Sequence, residues 1–450
     1  MIKKGIEDFS GKRVLLLQGP VGPFFRRLAR DLESVGAEVF KVNFNAGDWL
    51  FYPGRATNFR GRMEDWPSRI EELLLKLSID VVLLFGDCRP VHRSAHEVAS
   101  RLGIEIGVFE EGYIRPNFVT LERFGVNAYS LLPDNPRFYI RNSPLEVPNE
   151  KQLGKTFWPM VLWGFLYFAV GGLGGLFFPH YRHHRPLTVL EALPWGRSVL
   201  RKYWYAMKEK GVLDELTGRW KKRYFLVPLQ VHNDAQITEH SGYRDIEAFI
   251  HDVISSFARH APDDTVLVFK HHPMDRGYRD YSALIRQVSE RQKLAGRLFY
   301  LHDQHLPTLL DHALGVTVIN STVGLSAIQH GVPTKVCGSA IYDMAGLTSR
   351  KSLDQFWRNA HKELPDAALY DRFREYLIAH TQLNGSFYKA MNDTGLQSGL
   401  VWSTRSQRTE QQWTPVGDFS AAIPQIRRLV ESDSIGRQRR VLADRPVVVQ

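Results

Sequence analysis

The chain has 450 residues, 44% of them hydrophobic and 24% charged, a globular composition with length for two or three cores, which excludes a disordered polypeptide. Its net charge of +10 calls for an anionic partner, whether nucleic acid, an anionic membrane or an acidic substrate. Cys88 and Cys337 lie too far apart for a C-x-x-C metal spacing, and the N-terminus lacks the apolar core of a secretory signal, so a reducing, cytoplasmic setting is expected.

Residues 12–18 (KRVLLLQ) form an apolar run that ends in Gly19-Pro20-Val21-Gly22-Pro23. Helical spacing at Phe25, Leu28, Leu32 and Val35 follows, which reads as strand, glycine loop, helix. Strands over 37–44, 80–85 and 104–109 alternate with helices over 70–77 and 91–102, and this alternation predicts a parallel sheet covered on both faces. The first Rossmann-like domain is placed at 10–150.

Residues 157–179 carry no charge and hold five phenylalanines with Trp158 and Trp163. The run is long enough to span a bilayer, but five glycines and Pro159 predict a poor isolated helix. Three readings stand: an embedded or interfacial membrane segment, a full span, or a buried hairpin. Eleven Lys or Arg against four acids follow over 180–223. An apolar aromatic segment beside a basic one is what an anionic leaflet attracts, so 151–223 is read as a membrane-associated insert.

The strand and helix alternation restarts at 224–231 and continues through strands at 265–269, 298–301 and 315–319, giving a second Rossmann-like domain over 224–345. Helices are expected over 346–402, and 403–450 reads as a polar, mobile tail. Two such domains in tandem bind ligands in the cleft facing the carboxyl ends of both sheets, so the informative residues lie just after strands.

Four clusters lie there. Glu110-Glu111-Gly112-Tyr113 offers two carboxylates for acid/base work; adjacent side chains point apart, so one of them faces the cleft. Lys270-His271-His272-Pro273 supplies donors for a phosphate on a turn fixed by proline. Asn320-Ser321-Thr322-Val323-Gly324 stands between strand and helix, where hydroxyls and backbone N–H groups make an anion site or an ordinary helix cap. Gln230 to Gln236 (QVHNDAQ) follows the first strand of the second domain and offers Asp234 as a nucleophile or as a turn residue. A metal is not expected: adjacent histidines share an ion poorly, and no Asp-x-Asp pair of the nucleotide-sugar type is present.

Six motifs in order, QGPVGPFF, GDCRPVH, EEGYIRPNFVTLERFGVN, PLQVHNDAQI, KHHP and INSTVGLSAIQHGVPTK, resemble the capsule polysaccharide biosynthesis family of bacterial β-Kdo transferases. The likeness is to the single-module type that starts a lipid linker, Kdo being 3-deoxy-manno-oct-2-ulosonic acid. Bacterial sialyltransferases, which also use CMP-activated acidic sugars, share the acid-acid-Gly, His-Pro and Ser-Thr trio. The resemblance implies a GT-B-like pair of domains with a CMP-β-Kdo donor and an anionic phosphatidylglycerol-type acceptor. It also implies retention of configuration, no cofactor, no metal and no nucleic acid.

By position, the resemblance makes Asp234 the nucleophile, Glu110 or Glu111 the acid/base, and His272 the contact to the leaving phosphate. Lys270, His271, Pro273, Gln230, Asn320, Ser321 and Thr322 would hold the donor in the second domain. Gly19, Gly22, Arg89, His92 and Arg115 would hold the acceptor phosphate on the first. The setting implied is the cytoplasmic face of the inner membrane, with other capsule assembly and export proteins as partners. Rival readings are another sugar-nucleotide enzyme, such as a UDP-sugar 2-epimerase, and a non-catalytic scaffold of the capsule machinery.

Overall fold

A computed structural model describes residues 5–142, 144–145, 147, 149–181 and 192–402. The tail expected over 403–450, and Arg182 and Arg185 of the basic stretch, lie outside the described residues.

The first half runs β1 (Arg13–Leu16), α1 (Phe24–Ser34), β2 (Glu38–Asn43), α2 (Ala46–Phe51), β3 (Thr57–Asn58), α3 (Trp66–Lys76), β4 (Val81–Phe85), α4 (Pro90–Arg101) and β5 (Glu105–Glu111). These five strands are parallel, in the order β5-β4-β1-β2-β3. Side chains alternate across a strand, so Val14 and Leu16 face one layer and Leu15 and Leu17 the other. The first layer holds α1, and the second holds α3 and α4 around Trp66 and Ile70. Both faces are dry, which is why the strands read as continuous apolar runs.

The sheet is not wholly parallel, as had been expected. β6 (Phe118–Arg123) turns back antiparallel to β5, and a last strand, β12 (Gln382–Asn384), pairs antiparallel with β6. The segment expected to be helical over 346–402 thus ends by rejoining the first sheet. Phe387, Leu400 and Trp402 bury themselves in the α1 layer, with Phe387 edge-on to Phe24 at 4.8 Å.

Between the halves come α5 (Pro136–Arg141), α6 (Phe157–Leu173), α7 (Ala192–Lys208) and α8 (Val212–Thr217). The second half runs β7 (Tyr224–Pro228), α9 (Ala235–His240), α10 (Ile246–His260), β8 (Val266–Lys270), α11 (Ser282–Arg291), β9 (Leu298–Leu301), α12 (Leu306–His312), β10 (Gly315–Val318), α13 (Val323–Gln329) and β11 (Thr334–Val336). Its five strands are all parallel, in the order β11-β10-β7-β8-β9. α14 (Leu353–Asn359) closes this core with Phe356 and Trp357 against Phe225, and α15 (Ala367–His380) leads back to β12. The expected α/β class, two Rossmann-like halves of GT-B type, is the architecture observed.

α6 corrects the expectation of a poor helix. Pro159 sits in its first turn, where a missing N–H costs nothing, and Gly164 within the helix and Gly174 at its C-cap are points of close packing. A Cβ on Gly164 would meet Trp195, and one on Gly174 would meet Ala46. Gly47 of α2 is likewise covered by Tyr167. Seventeen residues reach about 25 Å at 1.5 Å each, short of the roughly 30 Å hydrocarbon core. Among the described residues no helix is long and apolar enough to cross a membrane. Nor is α6 a buried hairpin: Trp158, Leu162, Phe165 and Leu173, at helical spacing, form an exposed stripe.

Candidate active site

Sheet order brings the motifs together. β10, β7 and β8 are neighbours, so the loops carrying Asn320-Ser321-Thr322, Gln230 to Asp234 and Lys270 to Pro273 lie side by side at one carboxyl edge. In the first sheet β5, β4 and β1 are neighbours, which aligns Glu110-Glu111, the Gly86 to Arg89 loop and the Gly19 to Gly22 loop in the same way. Six motifs scattered over the chain become two triplets of adjacent strand ends.

Asp234 lies in the middle of its triplet. The turn from Val231 to Asp234 closes with Asp234 N–H on Val231 O at 3.0 Å, and Asp234 caps α9 by accepting Gln236 N–H at 2.9 Å. Gln230, nearly buried, donates to Asp234 Oδ2 at 3.1 Å and to Asn320 Oδ1 at 3.0 Å, tying two strand ends. Asn320 in turn donates to Gln236 O at 2.9 Å. Ser321 Oγ accepts Val323 N–H at 3.2 Å, and Thr322 precedes α13 without capping it.

The Lys-His-His-Pro loop divides its work. His271 is buried, its Nδ1 paired with Tyr300 OH at 2.7 Å and its Nε2 without a hydrogen-bond partner; burial pulls it down to about 3, so it is a neutral wall of the core. It is not the donor contact expected. His272 is half-buried and accepts Met274 N–H on Nδ1 at 3.2 Å, which fixes its neutral-form proton on Nε2. Lys270 is nearly buried, lowered first by desolvation and partly restored by Asp303. Pro273 is exposed and lines a cavity.

On the facing triplet the two glutamates part as adjacent strand residues must. Glu110 Oε1 accepts the N–H of Glu111 at 3.0 Å, and its carboxyl lies beside Gly86. Burial, with Glu111 and Asp87 adding to it, raises Glu110 to about 7. Glu111 turns to the other side and accepts Tyr388 OH at 2.7 Å.

The first-domain residues expected to hold an acceptor phosphate separate into two groups. Arg89 donates to Gln18 Oε1 at 2.9 Å and, with Gly19 and Pro273, lines a cavity of about 620 Å³ between the two halves, walled by α6 and α7. Arg115 is exposed, its Nε on Gly112 O at 3.2 Å. Gly22, at φ +106°, is covered by Trp163, so it serves a turn and a close approach. His92 departs from expectation: it is fully buried, holds Gly86 O at 2.6 Å, and is pulled down to about 3 by burial. It shapes the Gly86 loop from behind.

The halves meet where α9 ends. Arg93 pairs with Glu239 at 2.9 Å, Tyr129 stacks edge-on to His240 at 4.7 Å, and Cys88 Sγ lies 3.5 Å from His240 Nε2. Asp87, Cys88 and His240 bring possible metal-ligand atoms within 4.8 Å of one another. They also satisfy one another: Cys88 donates to Asp87 Oδ1 at 3.2 Å, and Asp87 Oδ2 accepts Val126 N–H at 2.9 Å. Burial, then Asp87, pushes the thiol well above its ordinary range, so Cys88 is a protonated hydrogen-bonding group.

Comparison with known proteins gives this cleft a family. Residues 80–388, more than half of the chain and five of the six motifs, match the family described as capsule polysaccharide biosynthesis protein. The chain belongs to that family. Capsule polysaccharide export protein KpsS of Escherichia coli is 42% identical over 84% of this chain and 97% of its own length. Capsule polysaccharide modification protein LipB of Neisseria meningitidis serogroup B is 39% identical over 86% of this chain and 95% of its own. Among solved structures, Thermosulfurimonas dismutans KpsC, a beta Kdo 2,7 transferase, covers 80% of this chain and 94% of its own at 16% identity and a TM-score of 0.38.

Two residues of this capsule-family cleft escaped the reading of the sequence. Asp275, fully buried, accepts both His232 N–H at 3.2 Å and His232 Nδ1, and Tyr281 OH reaches it at 3.4 Å. His232 stands inside a quoted motif, but its partner lies 43 residues on, and only the pairing of β7 with β8 brings the two together. Aspartate two residues beyond a His-Pro is the signal that could have raised it.

Proposed function

We infer that the protein is a glycosyltransferase that moves β-Kdo from CMP-β-Kdo to a phosphatidylglycerol-type lipid, starting the lipid linker of a capsular polysaccharide. The observation that carries this reading is the pair of acids on facing strand ends. Asp234 is aimed and held by Gln230, while Glu110 is raised to about 7, where it can take and return a proton near neutral pH.

The chemistry follows as two displacements. Asp234 attacks the anomeric carbon as the bond to the CMP phosphate breaks, and the electron pair leaves on the phosphate oxygen. The acceptor hydroxyl then attacks the same carbon, the bond to Asp234 breaks, and Glu110 takes the hydroxyl proton. Two inversions give net retention. Because the leaving group is a monophosphate ester, fixed donors suffice: His272 and the Asn320 to Thr322 loop are candidates for phosphate or sugar carboxylate, and Arg89 for the acceptor phosphate. No metal enters this scheme.

The working place is a membrane surface, the cytoplasmic face of the inner membrane. A second exposed apolar stripe, Leu193, Leu200, Trp204 and Met207, lies on α7. Neither helix carries an acid, and α7 adds exposed Lys202 and Lys208, while its Arg197 and Arg201 donate to carbonyls of Gly277 and Arg276. Apolar and basic side chains so arranged suit an anionic leaflet, and the cavity behind them reaches Arg89. The remaining capsule assembly and export proteins are the expected partners there. Offering CMP-Kdo, CMP-sialic acid and UDP-sugars separately and weighing products by mass spectrometry tests the donor; transfer from any donor but CMP-Kdo contradicts the reading.

A further inference from the structure

We propose that the His232–Asp275 pair is the binding site for the departing nucleotide phosphate, with His232 Nε2 as the hydrogen-bond donor; this rests on the nucleotide-sugar reading above. His232 and Asn233 are the two central residues of the turn that ends in Asp234, so the imidazole and the nucleophile candidate share one rigid loop. The ring is anchored from outside that loop. Asp275, in the short turn after His272-Pro273, takes its Nδ1 and its backbone N–H with the two oxygens of one carboxylate. Tyr281 OH at 3.4 Å is a further donor to it, and no part of Asp275 reaches solvent.

A carboxylate taken fully out of water is costly unless it is paired, so this one is held by the groups that donate to it. What it orients is a ring whose side chain keeps 24% of its surface and whose face lies 5.7 Å from that of Tyr278, a wall of the cavity between the halves. With Nδ1 given to Asp275, Nε2 is the atom left for the cleft. In the doubly protonated ring both nitrogens donate, one to Asp275 and one to a phosphate oxygen. His272 is built differently, because its Nδ1 already accepts a backbone N–H from Met274.

As the anomeric C–O bond breaks, the electron pair settles on the phosphate oxygen and the new bond forms to Asp234. A charge-assisted donor held in place beside that oxygen acts where charge develops and needs no reorganisation.

The test uses the full-length chain and two probes, CMP and cytidine, titrated by calorimetry into wild type, His232→Gln and Asp275→Asn, with melting curves to confirm folding. CMP affinity should fall about tenfold or more in His232→Gln, and in the same direction in Asp275→Asn, while cytidine affinity stays as in wild type, since only the phosphate contact is lost. An unchanged ratio of CMP to cytidine affinity in folded His232→Gln overturns the proposal. A wild type that binds no CMP overturns it together with the nucleotide reading. A reduced ratio in an enzyme that transfers no Kdo leaves this site standing and removes the Kdo reading alone.

Discussion

Gln230 Nε2 donates to Asp234 Oδ2 at 3.1 Å while Gln236 N–H holds Oδ1 at 2.9 Å, so the two contacts together fix the carboxylate at the end of β7. Asp234→Asn keeps a good helix cap and removes the proposed nucleophile, so transfer should drop on the order of 10⁴-fold or more with the melting temperature nearly unchanged. Gln230→Leu removes the orienting donor and should cost roughly tenfold to a hundredfold in kcat, read in the same assay.

Glu110 links activity to pH with a definite sign. As a base it must be ionised, so transfer should rise through about pH 7, the value to which burial brings it, and Glu110→Gln should lose about 10²- to 10⁴-fold. Stability runs the other way. The folded value lies above the ordinary 4.5, so the folded state binds the extra proton between those two pH values and stability falls as pH rises across that window. Glu110→Gln should therefore melt higher than wild type at pH 8 and alike at pH 4, and a melting curve at each pH decides it.

Tyr167 anchors α6 to the first sheet through its hydroxyl, which meets Asn45 Nδ2 at 2.7 Å, Asp48 Oδ1 at 3.2 Å and Gln18 Nε2 at 3.2 Å. Tyr167→Phe strands those buried groups and should cost about 1–3 kcal/mol, measured by chemical denaturation. Gly47→Val should do more, since its Cβ would meet Tyr167 O at 2.8 Å and lift the helix.

Membrane docking depends on the paired stripes. Trp158→Glu with Leu200→Glu replaces two side chains that are 72% and 73% exposed, so folding should survive. Co-flotation with phosphatidylglycerol vesicles should be lost, and wild-type binding should weaken as salt is raised. Equal flotation of the double variant would move the membrane contact elsewhere.

Much of this was legible because parallel strands buried on both faces write themselves as apolar runs: VVLLF of β4 and YFLVP of β7 stand out between helical spacings. β6 did not, because FVTLER buries Thr120 and Glu122 through side-chain hydrogen bonds, and polar letters hide a core strand. β12 is three residues long and is held only by pairing across 262 positions of chain, as Gln382 does with Thr120. Gly164 and Gly174 read as breakers since nothing in the sequence shows the Trp195 and Ala46 that press on them. At the site, residue types after strands were informative, while orientation was not. His92 and His271 carry the same chemistry as His272, and only burial separates them.

The measurement that bears most directly on the central claim is transfer itself. CMP-Kdo is generated in situ, EDTA is added once donor has formed, and a fluorescent phosphatidylglycerol analogue serves as acceptor for wild type and Asp234→Ala, with products weighed by mass spectrometry. One Kdo added by wild type and none by a folded Asp234→Ala is the result expected; no product from folded wild type on this lipid or its lyso form, or equal product from the variant, would contradict the account.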